Sequence, residues 1–243
     1  MRQLRRLKNL TGHRLQAQDG EIGRLKQIYF DDRRWEVRYI VVQTGNWLTG
    51  REVLIVPGVI ERVVDESRQL KVSLTCEQIS QSPPVDTELP ISLHYEQEYY
   101  RYYGWEPYWS VDPLFDPIPP LPPVDGEIPK QPEHPHLRSS QEVTGYRLHA
   151  RDGEIGHIED FVLDDQTWRI RYLEIDTGSW LPGKKVLLSP AWVREVDLLH
   201  HQILVNLPRE LIRTAPEYDP AQLISRDYQL TLYKHYGKVF EED

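Results

Sequence analysis

The chain has a single cysteine, Cys76, among 243 residues, so no disulfide can form within it and no oxidising compartment is required. Long apolar runs are missing. Nothing approaches the roughly 18 residues needed to cross a bilayer, which excludes a membrane-spanning helix. Positive balance is missing as well: 29 Lys and Arg stand against 38 Asp and Glu, a net charge of −9. Nucleic-acid binding needs a basic face that displaces counterions, so no direct nucleic-acid contact is expected. The same charge disfavours anionic membranes. Residues 1–10 are basic but lack the apolar run of about 7–15 residues of a secretory signal, and the expected location is cytoplasmic. No phosphate-cradling glycine motif or nucleophile elbow is present. His134 and His136 lie among prolines and His200 and His201 in a turn, whereas a zinc site needs three or four convergent ligands. The expectation is therefore no metal, no cofactor and no enzyme activity.

What the chain does have is an internal duplication. Thr11-Gly12, Arg14-Leu15, Ala17 and Asp19-Gly20-Glu21-Ile22-Gly23 return as Thr144-Gly145, Arg147-Leu148, Ala150 and Asp152-Gly153-Glu154-Ile155-Gly156, an offset of 133 residues. The register holds without a gap to Pro57 and Pro190. A unit this long is a duplicated domain, because solenoid repeats span only about 20–50 residues.

Within each copy the apolar period is mostly two. Asp19-Gly20 between strand-like runs is a hairpin signal, since both residues tolerate positive φ. Gly23, inside the strand from about Glu21 to Phe30, predicts a bulge or bend. Further strands are expected from Trp35 to Val42, at Val53–Val56, Val59–Val64 and Leu70–Leu74, then a helical turn over Thr75–Ser80. The likeness continues past the strands: Tyr100, Tyr103 and Gly104 correspond to Tyr233, Tyr236 and Gly237. Ser92 and Ser225 are suited to cap helices that stop at Gly104 and Gly237. Between the copies, Trp105 to Gln141 holds more than half of the 19 prolines and reads as a semi-rigid linker, partly polyproline II. The arm at Met1–Leu10 is either a short leading segment or a basic contact for an acidic surface.

The pattern from Thr11 to Gly23, with an Asp-Asp turn, an aromatic-led strand, a Thr-Gly loop carrying Trp-Leu and a strand ending in Pro, resembles the PRC-barrel domain. The resemblance covers about 11–82 and 144–215. That family includes the cytoplasmic part of the photosynthetic reaction-centre H subunit and the C-terminal domain of the ribosome-maturation factor RimM. The resemblance implies small, strongly bent antiparallel β-barrels that bind other macromolecules and share no catalytic residue. This chain lacks the H subunit's transmembrane helix and RimM's separate N-terminal domain.

The expected fold is thus all-β with minor α: two tandem antiparallel barrels of about six strands, each with a C-terminal helix, related by a pseudo-two-fold axis. The expected division is 11–104, a linker at 105–141, and 142–237. Paired acids at Asp19/Glu21, Asp31/Asp32, Asp152/Glu154 and Asp164/Asp165 lie in predicted turns, where Asp serves φ and local hydrogen bonds. Cys76 faces Arg209 in the other copy, against a shared thiol nucleophile. Trp47 and Trp180, in the Thr-Gly loops, either fold over the open ends of their barrels or anchor a protein interface. Tyr99, Tyr102, Tyr103, Trp105 and Trp109, more aromatic surface than one short helix can use, either pack on the neighbouring barrel or form a patch. These are the candidate contacts for a protein partner. The chain is read as a binding or scaffold protein, a monomer with an internal pseudo-dimer or a homodimer. The other readings are a RimM-type ribosome-assembly factor and a small-molecule carrier or enzyme with a site between the barrels.

Overall fold

A computed structural model describes residues 2–45, 50–86, 91–110, 136–178 and 183–240. In chain order the strands and helices are β1 Leu4–Arg6, α1 Leu7–Leu10, β2 Arg14–Gln16, β3 Glu21–Asp31, β4 Glu36–Thr44, β5 Glu52–Ile55, β6 Ile60–Val64, β7 Gln69–Val72, α2 Cys76–Ser80 and α3 Leu93–Tyr103. Then come β8 Leu137–Ser139, α4 Ser140–Val143, β9 Arg147–Ala150, β10 Gly153–Asp164, β11 Ile170–Asp176, β12 Lys185–Leu188, β13 Val193–Asp197, β14 Gln202–Val205, α5 Arg209–Arg213 and α6 Arg226–His235. The strand β8 forms at the proline-free end of the stretch read as a linker. The proline-rich residues 111–135 lie outside the described residues.

The two copies have the same strand order. One seven-stranded sheet runs β5-β4-β3-β2-β7-β6, the other β12-β11-β10-β9-β14-β13. The seventh strand of each comes from the segment leading into the opposite copy: β8 pairs with β3, and β1 with β10. Neither sheet is purely antiparallel, contrary to expectation, because β2 runs parallel to β7 and β9 to β14. The cause is the corner after β5. Pro57 has no N–H for a ladder, and Pro57–Val59 forms a 3-10 turn in place of a hairpin. Pro190–Trp192 repeats this corner. Among the described residues no pairing joins β5 to β6 or β12 to β13, so the hydrogen-bonded path stays open rather than closing into a barrel.

The glycine in the second long strand is required by close backbone approach. A Cβ at Gly23 would lie 2.1 Å from the Gln43 carbonyl oxygen, and one at Gly156 2.0 Å from that of Asp176. A bulge sits beside Gly23, where the pairing with Leu15 and Gln16 shifts register. The Thr-Gly loops are closed by their threonines, whose hydroxyls donate to the carbonyls of Arg51 and Lys184. Those same residues cap the short helices. Arg51 Nη2 donates to the Ser80 carbonyl at 2.8 Å, and Lys184 Nζ to the Arg213 and Ala215 carbonyls at 2.7 Å.

By contacts the chain divides into two compact units. The first is Met1–His13, Gln27–Tyr39 and Arg138–Asp243, the second Arg14–Lys26 and Ile40–Leu137. The first unit buries Phe30, Trp35, Phe161, Trp168 and Tyr172. Phe30 stacks on Trp35 with ring centroids 5.3 Å apart and meets Phe161 at 5.4 Å. Trp35 and Trp168 have φ of 56° and 55°, a strained conformation for a bulky residue. Reciprocal bonds hold them: Ile170 N–H donates to the Trp35 carbonyl at 2.7 Å, and Val37 N–H to that of Trp168 at 2.9 Å. The second unit buries Leu15, Ile22, Ile40, Val41, Leu54, Leu70, Ile79 and Tyr99.

Candidate partner-binding site

The aromatic face is built on α3. Ser92 caps it by accepting from the Tyr95 N–H, and Gly104 ends it with φ of 68°. The left-handed glycine turns the chain back, so that Trp105 N–H bonds to the Tyr100 carbonyl at 3.0 Å. Trp105 then lies flat on Tyr103, with centroids 4.3 Å apart at 8°. Tyr99 is fully buried beneath them, its hydroxyl donating to the Leu54 carbonyl at 2.9 Å. Tyr102 is 38% exposed and anchored by its hydroxyl to the Gln78 carbonyl at 2.7 Å. Burial pushes the Tyr103 hydroxyl up to about 12, so these phenols are hydrogen-bonding groups and not bases near neutral pH.

Of the candidate aromatics, Tyr99, Tyr102, Tyr103 and Trp105 come together. Trp109 packs on the other flank of α3, against Tyr100 at 5.2 Å, beside Tyr108, whose hydroxyl donates to Glu96 at 3.0 Å. Trp47 and Trp180 lie outside the described residues. Most of this aromatic surface is consumed internally; Tyr102 and the half-buried faces of Tyr103, Trp105 and Trp109 are what remains outward. In the other copy, α6 is capped by Ser225 and followed by Gly237 with φ of 63°. Leu232 takes the place of Tyr99 and is fully buried there.

The acidic turns do structural work. Asp31 Oδ1 accepts from the N–H groups of Arg33 and Arg34, and Asp164 Oδ1 from those of Gln166 and Thr167. Asp19 and Asp152 accept from Cys76 N–H and Arg209 N–H, each at 2.7 Å, capping α2 and α5. Burial, followed by the bond to Asp19, raises the Cys76 thiol and makes it a weak nucleophile.

A second cluster was not visible in the sequence. Within the first unit β1 lies antiparallel on β10, with Leu4 opposite Asp164 and Arg6 opposite Val162. Arg6 grips Glu174 with Nε and Nη2 at 2.7 and 2.9 Å and reaches Asp160 at 3.2 Å. Arg5 pairs with Asp165 at 2.7 Å, Arg2 pairs with Asp164, and Lys8 with Glu159. Lys185 joins Glu174 at 3.0 Å. Glu174 and Asp160 are buried. Burial pushes the Asp160 carboxyl up to about 6, with Arg6 pulling against it and Glu174 adding to it. The Arg6 guanidinium is raised despite the opposing effect of its burial, because Glu174 outweighs it. Burial, then Glu174, pushes Tyr218 up to about 12.

His157, Glu159 and Asp176 also converge, each offering an atom within 4.8 Å of the others. Glu159 is the bulged residue of β10 and already bonds Lys8 and Lys185. In the first copy these positions are Arg24, Lys26 and Gln43. Lys26 pairs there with Glu52, the same ion pair with its charges exchanged. The cluster reads as a charge-compensated surface pair.

Among the described residues no helix is long and apolar enough to cross a membrane. No curated protein matches the chain. The stretch from α4 through α5, residues 141–212, matches the family model of the PRC-barrel domain, and it is in this stretch that the chain is similar to a known family.

Proposed function

We propose that the chain is a non-enzymatic scaffold of two PRC-barrel-type copies that recognises a protein partner through the aromatic face at the end of α3. The observation that carries this reading is the Tyr103–Trp105 stack beside the exposed Tyr102, an aromatic surface held together by its own ring contacts. Three further facts support it. The buried carboxylates Asp160, Asp164 and Glu174 are bound to cations of the same chain. The turn acids serve as caps. The net charge of −9 disfavours RNA as the direct ligand of a RimM-type role.

The test is co-purification from native extract with the full chain and with Tyr102→Ser/Trp105→Ala. Both side chains are part-exposed, so the variant is expected to keep its circular dichroism and lose at least tenfold of a specific co-purifying protein. An unchanged set of bound proteins on a folded variant rejects the reading.

A further inference from the structure

The aromatic face at the end of α3 and its counterpart on α6 share one scaffold contact. The Tyr102 hydroxyl donates to the Gln78 carbonyl of α2 at 2.7 Å, and at the same position of the other copy His235 Nε2 bonds the Leu211 carbonyl of α5 at 2.8 Å. Around that contact the two copies differ. At the offset of 133 residues Trp105 and Glu106 become Lys238 and Val239, and Glu98 becomes Thr231. Glu210 of α5 is neutralised by Arg213, with Nε and Oε2 2.6 Å apart. In α2 the place of Arg213 is taken by Ser80. Glu77 there accepts from the Gln81 amide at 3.3 Å, and among the described residues no cation pairs with it. The contact forms with histidine and lysine in one copy, so folding does not demand the rings and acids of the other.

Three carboxylates border these rings. Glu77 adjoins Gln78, on which Tyr102 is anchored. Glu98 lies one helical turn before Tyr102, 49% exposed and 3.3 Å from His94. Glu106 follows Trp105 and is exposed. The exposed Arg101 lies about 100° round the helix from Tyr102. Arg51 is turned inward, its Nη2 on the carbonyls of Ile79, Ser80 and Ser82. A neutral apolar partner would desolvate these acids without compensation, and an acidic one would be repelled. A planar guanidinium suits both parts of the surface. It is weakly hydrated, stacks on aromatic faces, and donates from its edge to carboxylates, whereas an ammonium stays strongly hydrated.

We infer that this face takes an arginine-bearing segment of another protein, its guanidinium on the rings of Tyr102, Tyr103 and Trp105 and bordered by Glu77, Glu98 and Glu106. The inference rests on the reading that the face binds a protein partner, and gives that partner its chemistry.

The test uses the full chain and three fluorescein-labelled peptides: Gly-Arg-Gly-Arg-Gly, and the same sequence with lysine or with citrulline, the uncharged isostere of arginine. Binding is read by anisotropy. The arginine peptide is expected to bind about tenfold more tightly than the citrulline peptide, and more tightly than the lysine peptide. Trp105→Ala leaves every charge in place, and Glu77→Gln/Glu98→Gln/Glu106→Gln leaves every ring. Each is expected to lose about tenfold of the affinity for arginine. Lysine or citrulline binding as tightly as arginine, no binding of any peptide, or undiminished binding to either variant overturns the proposal. Undiminished binding to Trp105→Ala would mark diffuse attraction to an acidic chain. Co-purification from native extract separates this proposal from the reading beneath it. A partner lost from Tyr102→Ser/Trp105→Ala but kept by the triple glutamine variant leaves the face a binding site and overturns its preference for arginine. A partner kept by both folded variants removes the site, and the proposal with it. A second copy of this chain, as the protein lost, overturns the proposal as well.

Discussion

Replacing Arg6 by Met tests whether the buried ion cluster holds the arm. Arg6 is 14% exposed, Glu174 fully buried and Asp160 2% exposed. Removing one partner of a buried pair typically costs about 3–5 kcal/mol, because the abandoned charge stays desolvated. Lys185 remains on Glu174 at 3.0 Å, which places the expected loss at the low end, about 3 kcal/mol at pH 7.5. The pH dependence is the sharper signature. Asp160 titrates near 6 in the folded protein against 3.8 in a free carboxyl. Its folded form therefore takes up a proton more readily, and its contribution to stability grows as pH falls through 6 towards 4 and is lost as pH rises. Without Arg6, which holds Asp160 down, the carboxyl rises further, so acidification rescues the variant more than the wild type. The gap is expected to shrink to about half at pH 5. Urea denaturation at the two pH values measures it. Adding Glu174→Leu at pH 7.5 should recover stability to within about 1 kcal/mol of wild type. A loss below about 1 kcal/mol at pH 7.5, or a gap that widens in acid, refutes the assignment.

Gly156→Ala is expected to lose about 3 kcal/mol or more in the same assay, since its Cβ would sit 2.0 Å from the Asp176 carbonyl oxygen at φ of +117°; a loss below about 1 kcal/mol would mean that β10 and β11 do not approach as described. Tyr99→Phe should cost about 1–2 kcal/mol by stranding the buried Leu54 carbonyl, whereas Tyr102→Phe, at the exposed edge, should cost under about 0.5. Equal losses from the two would show that α3 does not bury the face assigned here.

The sequence by itself determined every feature written in local chemistry. The repeat followed from identity at fixed offset. The Asp19-Gly20 hairpin, the Ser92 and Ser225 caps and the stops at Gly104 and Gly237 followed from what those residues do to their nearest neighbours; Gly23 marked a bend, although the carbonyl that demands a glycine there, that of Gln43, lies on the neighbouring strand. Asp31 and Asp164 as turn caps were legible for the same reason. In the candidate face, the helical spacing placed the tyrosines on one helix, but not which of them its packing would consume. That was set by Leu54 and Gln78, distant strand and helix carbonyls that take the Tyr99 and Tyr102 hydroxyls.

Only the tertiary structure decided the rest. No local signal says that β2 runs parallel to β7, because the direction is fixed by how the Pro57 corner carries the chain across the sheet. Nor does one say that Arg5 and Arg6 meet Asp165 and Glu174, some 160 residues away. An arginine in a basic arm and a glutamate inside an apolar strand look alike in any sequence until the fold removes water from both. Desolvation is a property of the assembled environment, and it turned unremarkable surface charges into a buried, register-fixing pair.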